Sequence, residues 1–149
     1  MEADSHVRKW ATAISTNVRS GRKIIFRYAQ EFSPTLDRDS LPVRVIIVWR
    51  YQSDSGQPNS GEHQRMNLLE DALDPVLNAD HFATLALVST GEKLREWTYY
   101  AASEDGLMTR LNHALAEMEE FPIEIHTALD PKWTVYEQFK ASVKQSSTG

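Results

Sequence analysis

Residues 43–51, "VRVIIVWRY", limit the fold more than any other stretch of the chain. Successive side chains of a strand point to opposite sides of its sheet. Here Val43, Val45, Ile47 and Trp49 fall on one side, and Ile46 and Val48 fall on the other. A strand that is apolar on both sides must be covered on both sides, so it belongs in the middle of a layered sheet. With 149 residues the chain has room for one domain built round it.

The remaining elements are placed by pattern. After a frayed start, "WATAISTNV" and "RKIIFRYAQEF" flank the Gly21 turn "RSG" and predict a β-hairpin; "SPTLDRDSLP" is a loop. Downstream of the central strand comes the loop "QSDSGQPNSGEH". Asn59 or Ser60 is a cap, and Glu62 stands at the spacing that reaches back to Asn59. Met66, Leu69, Leu73 and Leu77 then repeat at helical intervals, with Pro75 expected to end or bend the helix near Asp74. "HFATLALVS" and "EKLREWTYYAAS" predict two strands joined by a turn on Gly91. On the second, Arg95, Trp97 and Tyr99 alternate with Glu96, Thr98 and Tyr100.

Ser103, with Glu104 and Asp105 in the first turn, opens a helix striped by Leu107, Leu111, Leu115 and Met118. In the strand "FPIEIHTAL", Ile123, Ile125, Thr127 and Leu129 share one face, and Glu124 and His126 the other. Asp130 as cap and Pro131 as first helical residue open a last helix that turns Trp133, Tyr136, Phe139 and Val143 inward. "KQSSTG" reads as a disordered tail. The expected fold is α+β: a ferredoxin-like β-α-β-β-α-β core at 43–129, with its first and third strands side by side. An N-terminal hairpin and loop (1–42) extend the sheet, a C-terminal helix spans 130–143, and the tail is 144–149.

Composition removes several function classes. The chain has no cysteine, which excludes disulfides, thiol catalysis and thiolate metal sites. It has no apolar run of the roughly 18 residues that a membrane span needs, and no secretory h-region at its start. A cytoplasmic, bacterial-type soluble domain fits. Residues 1–50 hold nine Lys and Arg against five Asp and Glu; residues 51–149 hold seven against sixteen, and together they give the net charge of −5. A basic first third on an acidic remainder can serve internal complementarity, a second copy or an acidic partner.

Three stretches carry a resemblance: "SGQPNSGEHQRMNLLEDAL", "LALVSTGEKLREWTYYAAS" and "PIEIHTALDPKWTVYEQF". A Gly-x-Pro loop, a helix bearing "LLED", a Thr-Gly turn before an Arg and an aromatic strand, and Asp-Pro-x-Trp-x-x-Tyr resemble the bacterial family known as domain of unknown function 695. The resemblance covers residues 43–140 and implies no catalytic residue and no cofactor. The family is similar in turn to a protein class that inhibits a bacterial endoribonuclease, which implies a regulatory binding module.

The candidate sites are as follows. Trp49, Trp97 and Tyr99 stand where RNA-recognition modules stack bases. The acidic core opposes phosphate, however, and the rings are expected to pack in the sheet. Glu124 and His126, with Arg44 and Arg50 on a nearby strand, bring carboxylate, imidazole and guanidinium together for acid–base work or anion binding. The set has no nucleophile, and cross-strand ion pairs account for it equally. A ligand-binding sheet face is therefore expected from His126, Glu124, Arg95, Trp97, Tyr99 and Arg50. His113 and Glu117 have the i, i+4 spacing of a two-ligand edge without further ligands, and His63 and His81 have no partner at such spacing. "SGQPNSGEH" lacks the Lys and Ser/Thr of a phosphate loop. "DPKW" reads as a cap and core.

Taken together, the sequence predicts a non-enzymatic binding or regulatory module that acts through protein contacts, its partner another protein or a second copy in a homodimer. No metal or cofactor is expected, and nucleic acid and membrane are not expected partners. A small-molecule binder or enzyme at His126 is the rival reading, and a single-stranded RNA binder or ribonuclease regulator the third.

Overall fold

A computed structural model describes residues 6–148; residues 1–5 and Gly149 lie outside the described residues, and of the start expected to be frayed, Val7–Lys9 belong instead to the first strand. The elements are β1 (Val7–Thr16), β2 (Lys23–Phe32), β3 (Val43–Arg50), α1 (Ser60–Asn78), β4 (Ala83–Gly91), β5 (Leu94–Ala101), α2 (Glu104–Leu115), β6 (Ile123–Leu129) and α3 (Thr134–Thr148). The six strands form one sheet in the order β1-β2-β4-β5-β3-β6, with every pairing antiparallel. The N-terminal hairpin extends the sheet through β2 and β4. The doubly apolar β3 is interior as its sequence requires, with β5 on one flank and β6 on the other.

Register decides which side chains meet. Ile47 lies opposite both Trp97 and Ile125, so odd-numbered residues of β3, β5 and β6 share one face and even-numbered residues the other. The odd face buries Val45, Ile47, Trp49, Trp97 and Tyr99 under α1 and α2, against Met66, Leu69, Leu73, Leu77, Leu107 and Leu111. On the even face a smaller core joins Tyr100, Ala86 and Ala29 to Trp133 and Tyr136. The Trp133 ring lies flat on Tyr100 at 4.3 Å, and Phe139 of α3 meets Phe26 at 4.8 Å and Tyr28 at 5.2 Å. Both sides of the sheet thus have helical cover, but on the even face Arg50, Glu124 and His126 stay exposed.

Several local expectations are corrected. Pro75 does not end α1, which runs on to Asn78. A proline inside a helix costs about 3 kcal/mol. Burial of Leu73 and Leu77 opposes that cost, and the Arg110 guanidinium satisfies the end of the helix by donating to the Val76 and Ala79 carbonyls, each at 3.0 Å. Asn59 caps α1 by accepting from the Glu62 amide at 2.8 Å, but the Glu62 carboxylate turns instead to the Trp49 indole N–H at 3.0 Å.

The last helix begins at Thr134, not at Pro131, and runs through Thr148 across positions read as tail. The residues before it form a turn in which Trp133 has φ 56°. Asp130 still caps the helix, accepting from the Thr134 amide at 2.7 Å and the Val135 amide at 3.2 Å. In the β4–β5 hairpin the left-handed residues are Glu92 and Lys93, with φ 52° and 67°, and not Gly91. Gly91 is required for another reason: a Cβ there would lie 2.5 Å from the Lys23 carbonyl oxygen of β2.

Candidate functional site

The six expected site residues separate into two groups on opposite faces of the sheet. Arg95, Trp97 and Tyr99 are odd-numbered and lie beneath α1; Arg50, Glu124 and His126 are even-numbered and lie in the open. No shared pocket of the six exists. Pairing parity is the reason: β3, β5 and β6 align odd with odd, so residues of unlike parity never share a face.

Beneath α1 the polar ends of the aromatic rings meet acidic side chains. The Trp97 indole N–H donates to Glu70 at 2.8 Å, and the Tyr99 hydroxyl donates to Asp74 at 2.9 Å. Glu70 also accepts from the Arg27 guanidinium at 2.6 Å, while Asp74 accepts from the Asn78 amide at 3.0 Å. Arg95 lies 8% exposed, 5.6 Å from the Trp97 ring, and donates through Nε to the Thr90 hydroxyl at 2.8 Å. A buried Trp or Tyr needs a partner for its polar atom. Glu62, Glu70 and Asp74, on the border of the helix's apolar stripe, supply those partners.

The electrostatics follow from this burial. Loss of water raises Asp74, and the nearby Glu70 charge adds to that against the Tyr99 hydrogen bond. Burial likewise lifts Tyr99 well above its ordinary range and lowers Arg95, where the Glu70 charge works in the opposite direction. Perturbed groups in a cleft would mark a reactive site. Here each carboxylate is already engaged by donors, and the rings are fully covered, so the cluster joins α1 to the sheet. The expected base-stacking platform is not available: Trp49 is 0%, Trp97 2% and Tyr99 1% exposed.

The open group lies at the sheet edge. Arg50 Nε stands 3.3 Å from one Glu124 oxygen, and His126 Nε2 stands 3.3 Å from the other. The three side chains are 67%, 52% and 63% exposed, so they form a surface row with no enclosing wall. Hydrogen bonding from Arg50 first, and then from His126, lowers the Glu124 pKa. Arg44, expected in the same cluster, is turned instead to Asp130 at 3.6 Å. Carboxylate, imidazole and guanidinium are thus together, as the alternation of β6 predicted, but on open ground.

Among the described residues no group of three or more His, Asp or Glu is disposed to hold a metal; His113 and Glu117 are both exposed. His81 meets His6, ring to ring, at 4.8 Å, and His63 contacts Asn67. The "SGQPN" loop closes on the β4–β5 turn: Tyr51 donates its hydroxyl to the Gly56 carbonyl at 2.6 Å and the Lys93 amide donates to the same oxygen at 3.0 Å. Asp130 of "DPKW" accepts the Tyr100 hydroxyl at 2.9 Å besides capping α3. Among the described residues no helix is long and apolar enough to cross a membrane.

Sequence reasoning missed Arg27, Glu62, Glu70 and Asp74. The signal of the three acids was present: Glu62, Glu70 and Asp74 stand at multiples of four beside the Met66–Leu69–Leu73–Leu77 stripe, facing strands whose Trp and Tyr require acceptors; Arg27, on β2, had no such signal.

The motif residues are therefore fasteners of this fold: Gly56 and Thr90 at the hairpin end, Glu70 of α1 with Trp97 beneath it, and Asp130, Trp133 and Tyr136 at the start of α3. No curated protein matches the chain. Over residues 8–140 it matches the family described as a family of unknown function, DUF695, and with that span covering most of its length the chain belongs to this family.

Proposed function

We propose that the protein is a non-enzymatic binding or regulatory module whose contact surface is the β6 edge of the sheet. The observation that carries this reading is the state of β6. Among the described residues it pairs only with β3, it carries the exposed row Arg50–Glu124–His126 beside it, and it ends in Leu129, 78% exposed. An edge strand with free amides and carbonyls accepts another strand, and its flanking side chains select which one. Support for a ferredoxin-like reading of the β3–β6 unit comes from the neighbour order β4-β5-β3-β6 with α1 and α2 on one face.

The rival reading, a small-molecule binder or enzyme at His126, rests on the 3.3 Å contacts that join its imidazole, the Glu124 carboxylate and the Arg50 guanidinium. The two readings separate in one experiment. Thr127→Pro adds a proline to the outer edge, where it blocks an incoming strand and leaves the His126 row intact. Loss of protein association by this variant, with Glu124→Ala and His126→Ala weakening it less, is the expected result. Association that survives Thr127→Pro, or a small anion whose binding Thr127→Pro leaves intact and His126→Ala abolishes, would overturn the edge reading.

A further inference from the structure

We propose that the occupant of the β6 edge is a second copy of this chain: two β6 strands pair antiparallel about a two-fold axis at Ile125, and Leu129 of each copy enters an apolar groove of the other. This inference rests on the edge reading above and names its partner.

The backbone allows it. The Asp130 amide donates to the Pro42 carbonyl at 2.8 Å, so even-numbered residues of β6 direct their hydrogen-bonding groups inward to β3. Antiparallel pairing alternates, and the carbonyl of Ile123 and the amides and carbonyls of Ile125, Thr127 and Leu129 therefore point outward, while the Ile123 amide donates to the Phe121 carbonyl at 2.9 Å. A two-fold axis perpendicular to the sheet pairs residues of like parity, so the outward groups of one copy face those of the other.

The side chains choose the register. With the axis at Ile125, Ile125 faces its own copy and Ile123 faces Thr127. Glu124 then faces His126 twice, at the non-hydrogen-bonded positions where side chains approach most closely. One step along, with the axis at His126, the two imidazoles would oppose each other and Glu124 would face Ala128. The first register therefore sets a carboxylate acceptor against an imidazole at both polar positions, and Arg50 lies at the outer flank of each pair.

The same register explains two features that the monomer leaves unused. Leu129, on the odd face, comes past the start of the other copy's β6, where the chain turns at Pro122 with the Ile123 amide donating to the Phe121 carbonyl at 2.9 Å. Beside Phe121 lies a groove of about 280 Å³ lined by Leu115, Met118, Phe121 and Ile123, also on the odd face, with Glu119 and Glu120 at its rim. An exposed leucine and a vacant apolar groove at the two ends of one strand are what an isologous interface needs, because the axis brings each knob to the other copy's hole.

The test is the mass of the full chain in sedimentation and light scattering at micromolar concentration. A dimer of the 17.0 kDa chain is expected. Leu129→Asp should give the monomer with unchanged circular dichroism, since the side chain contacts solvent in the single copy. His126→Glu should weaken the dimer roughly tenfold by placing two carboxylate pairs face to face. Glu124→His combined with His126→Glu again sets a carboxylate against an imidazole across the axis and should recover the dimer. A wild-type monomer throughout the micromolar range, or a dimer that Leu129→Asp leaves intact, overturns the proposal. If the wild type is monomeric yet Thr127→Pro abolishes binding of a different protein, self-pairing fails while the edge reading stands. If Thr127→Pro leaves both masses and binding unchanged, both fail.

Discussion

The two faces of the sheet hold the same chemistry and use it in opposite ways. On the odd face Trp97 and Tyr99 donate to Glu70 and Asp74, and Arg95 is held against Thr90, all beneath α1. On the even face Arg50, Glu124 and His126 form contacts of similar length in the open. Residue type does not distinguish them; cover does. Under α1 a missing acceptor would leave an indole N–H or a phenol without a partner, and such a group costs about 1–3 kcal/mol. At the β6 edge water replaces any lost partner. The first set therefore fixes the fold, and the second is free to meet another molecule.

Truncation tests this contrast most strongly. Trp97→Ala removes a covered indole and leaves the Glu70 carboxylate with Arg27 as its donor, and should lower unfolding stability by about 3–5 kcal/mol. His126→Ala and Glu124→Ala should each unfold at the wild-type urea midpoint. Urea unfolding of the three variants measures both arms. A His126→Ala loss comparable to that of Trp97→Ala would mean that the edge row is structural. In that case the open face loses its claim to function.

The sequence carried most of the elements and little of how they combine. Two apolar sides placed β3 inside the sheet, and the alternation of Glu124 and His126 put them on one face. What could not be read was parity between strands. Ile47 lies opposite Trp97 through long-range pairing, and a shift of one residue would have brought Trp97 to the side of His126. The carboxylates of α1 were missed for a related reason. A helix stripe shows its apolar residues, whereas Glu70 and Asp74 gain meaning only once Trp97 and Tyr99 lie beneath them. Pro75 was misread because its local cost is visible in sequence and the burial of Leu73 and Leu77 is not.

Two aspartates give the contrast a pH dependence of opposite sign. Burial raises Asp74, so the native state holds its proton more tightly than the unfolded chain does. Stability from this group is present in acid and falls as pH rises from the ordinary value near 3.9 through the raised native one. Asp130 is the reverse. Burial alone would raise it, but the Thr134 and Val135 amides and the Tyr100 hydroxyl outweigh that and hold it low. Its contribution is present above the ordinary value and is lost as pH falls through the lowered native one. Relative to wild type, Asp74→Asn should therefore gain stability as pH rises above about 4. Asp130→Asn should be destabilised at neutral pH by about 1–2 kcal/mol, a gap that narrows in acid. Melting temperatures between acid and neutral pH check both, and a parallel course of the two variants would contradict the assignment.

The smallest effect concerns the strained end of the covered face. Glu92 and Lys93 both occupy the left-handed region, φ 52° and 67°, where a side chain costs roughly 1 kcal/mol or more. The turn persists because the Lys93 amide donates to the Gly56 carbonyl, which also receives the Tyr51 hydroxyl. Lys93→Gly keeps that amide and removes the Cβ, while glycine's greater freedom in the unfolded chain offsets part of the relief. A net gain of about 0.5 kcal/mol is expected, more with Glu92→Asn added. Strain of this kind is sometimes kept because a site depends on it. This hairpin abuts Gly56 and Gln57, whereas the proposed contact strand is β6 at the edge of the sheet, beyond β3 from β5. The glycine variant should consequently melt higher and associate as wild type does. If it melts higher but loses association, the covered face takes part in binding, and the division between fastening face and contact edge must be redrawn at the β4–β5 turn.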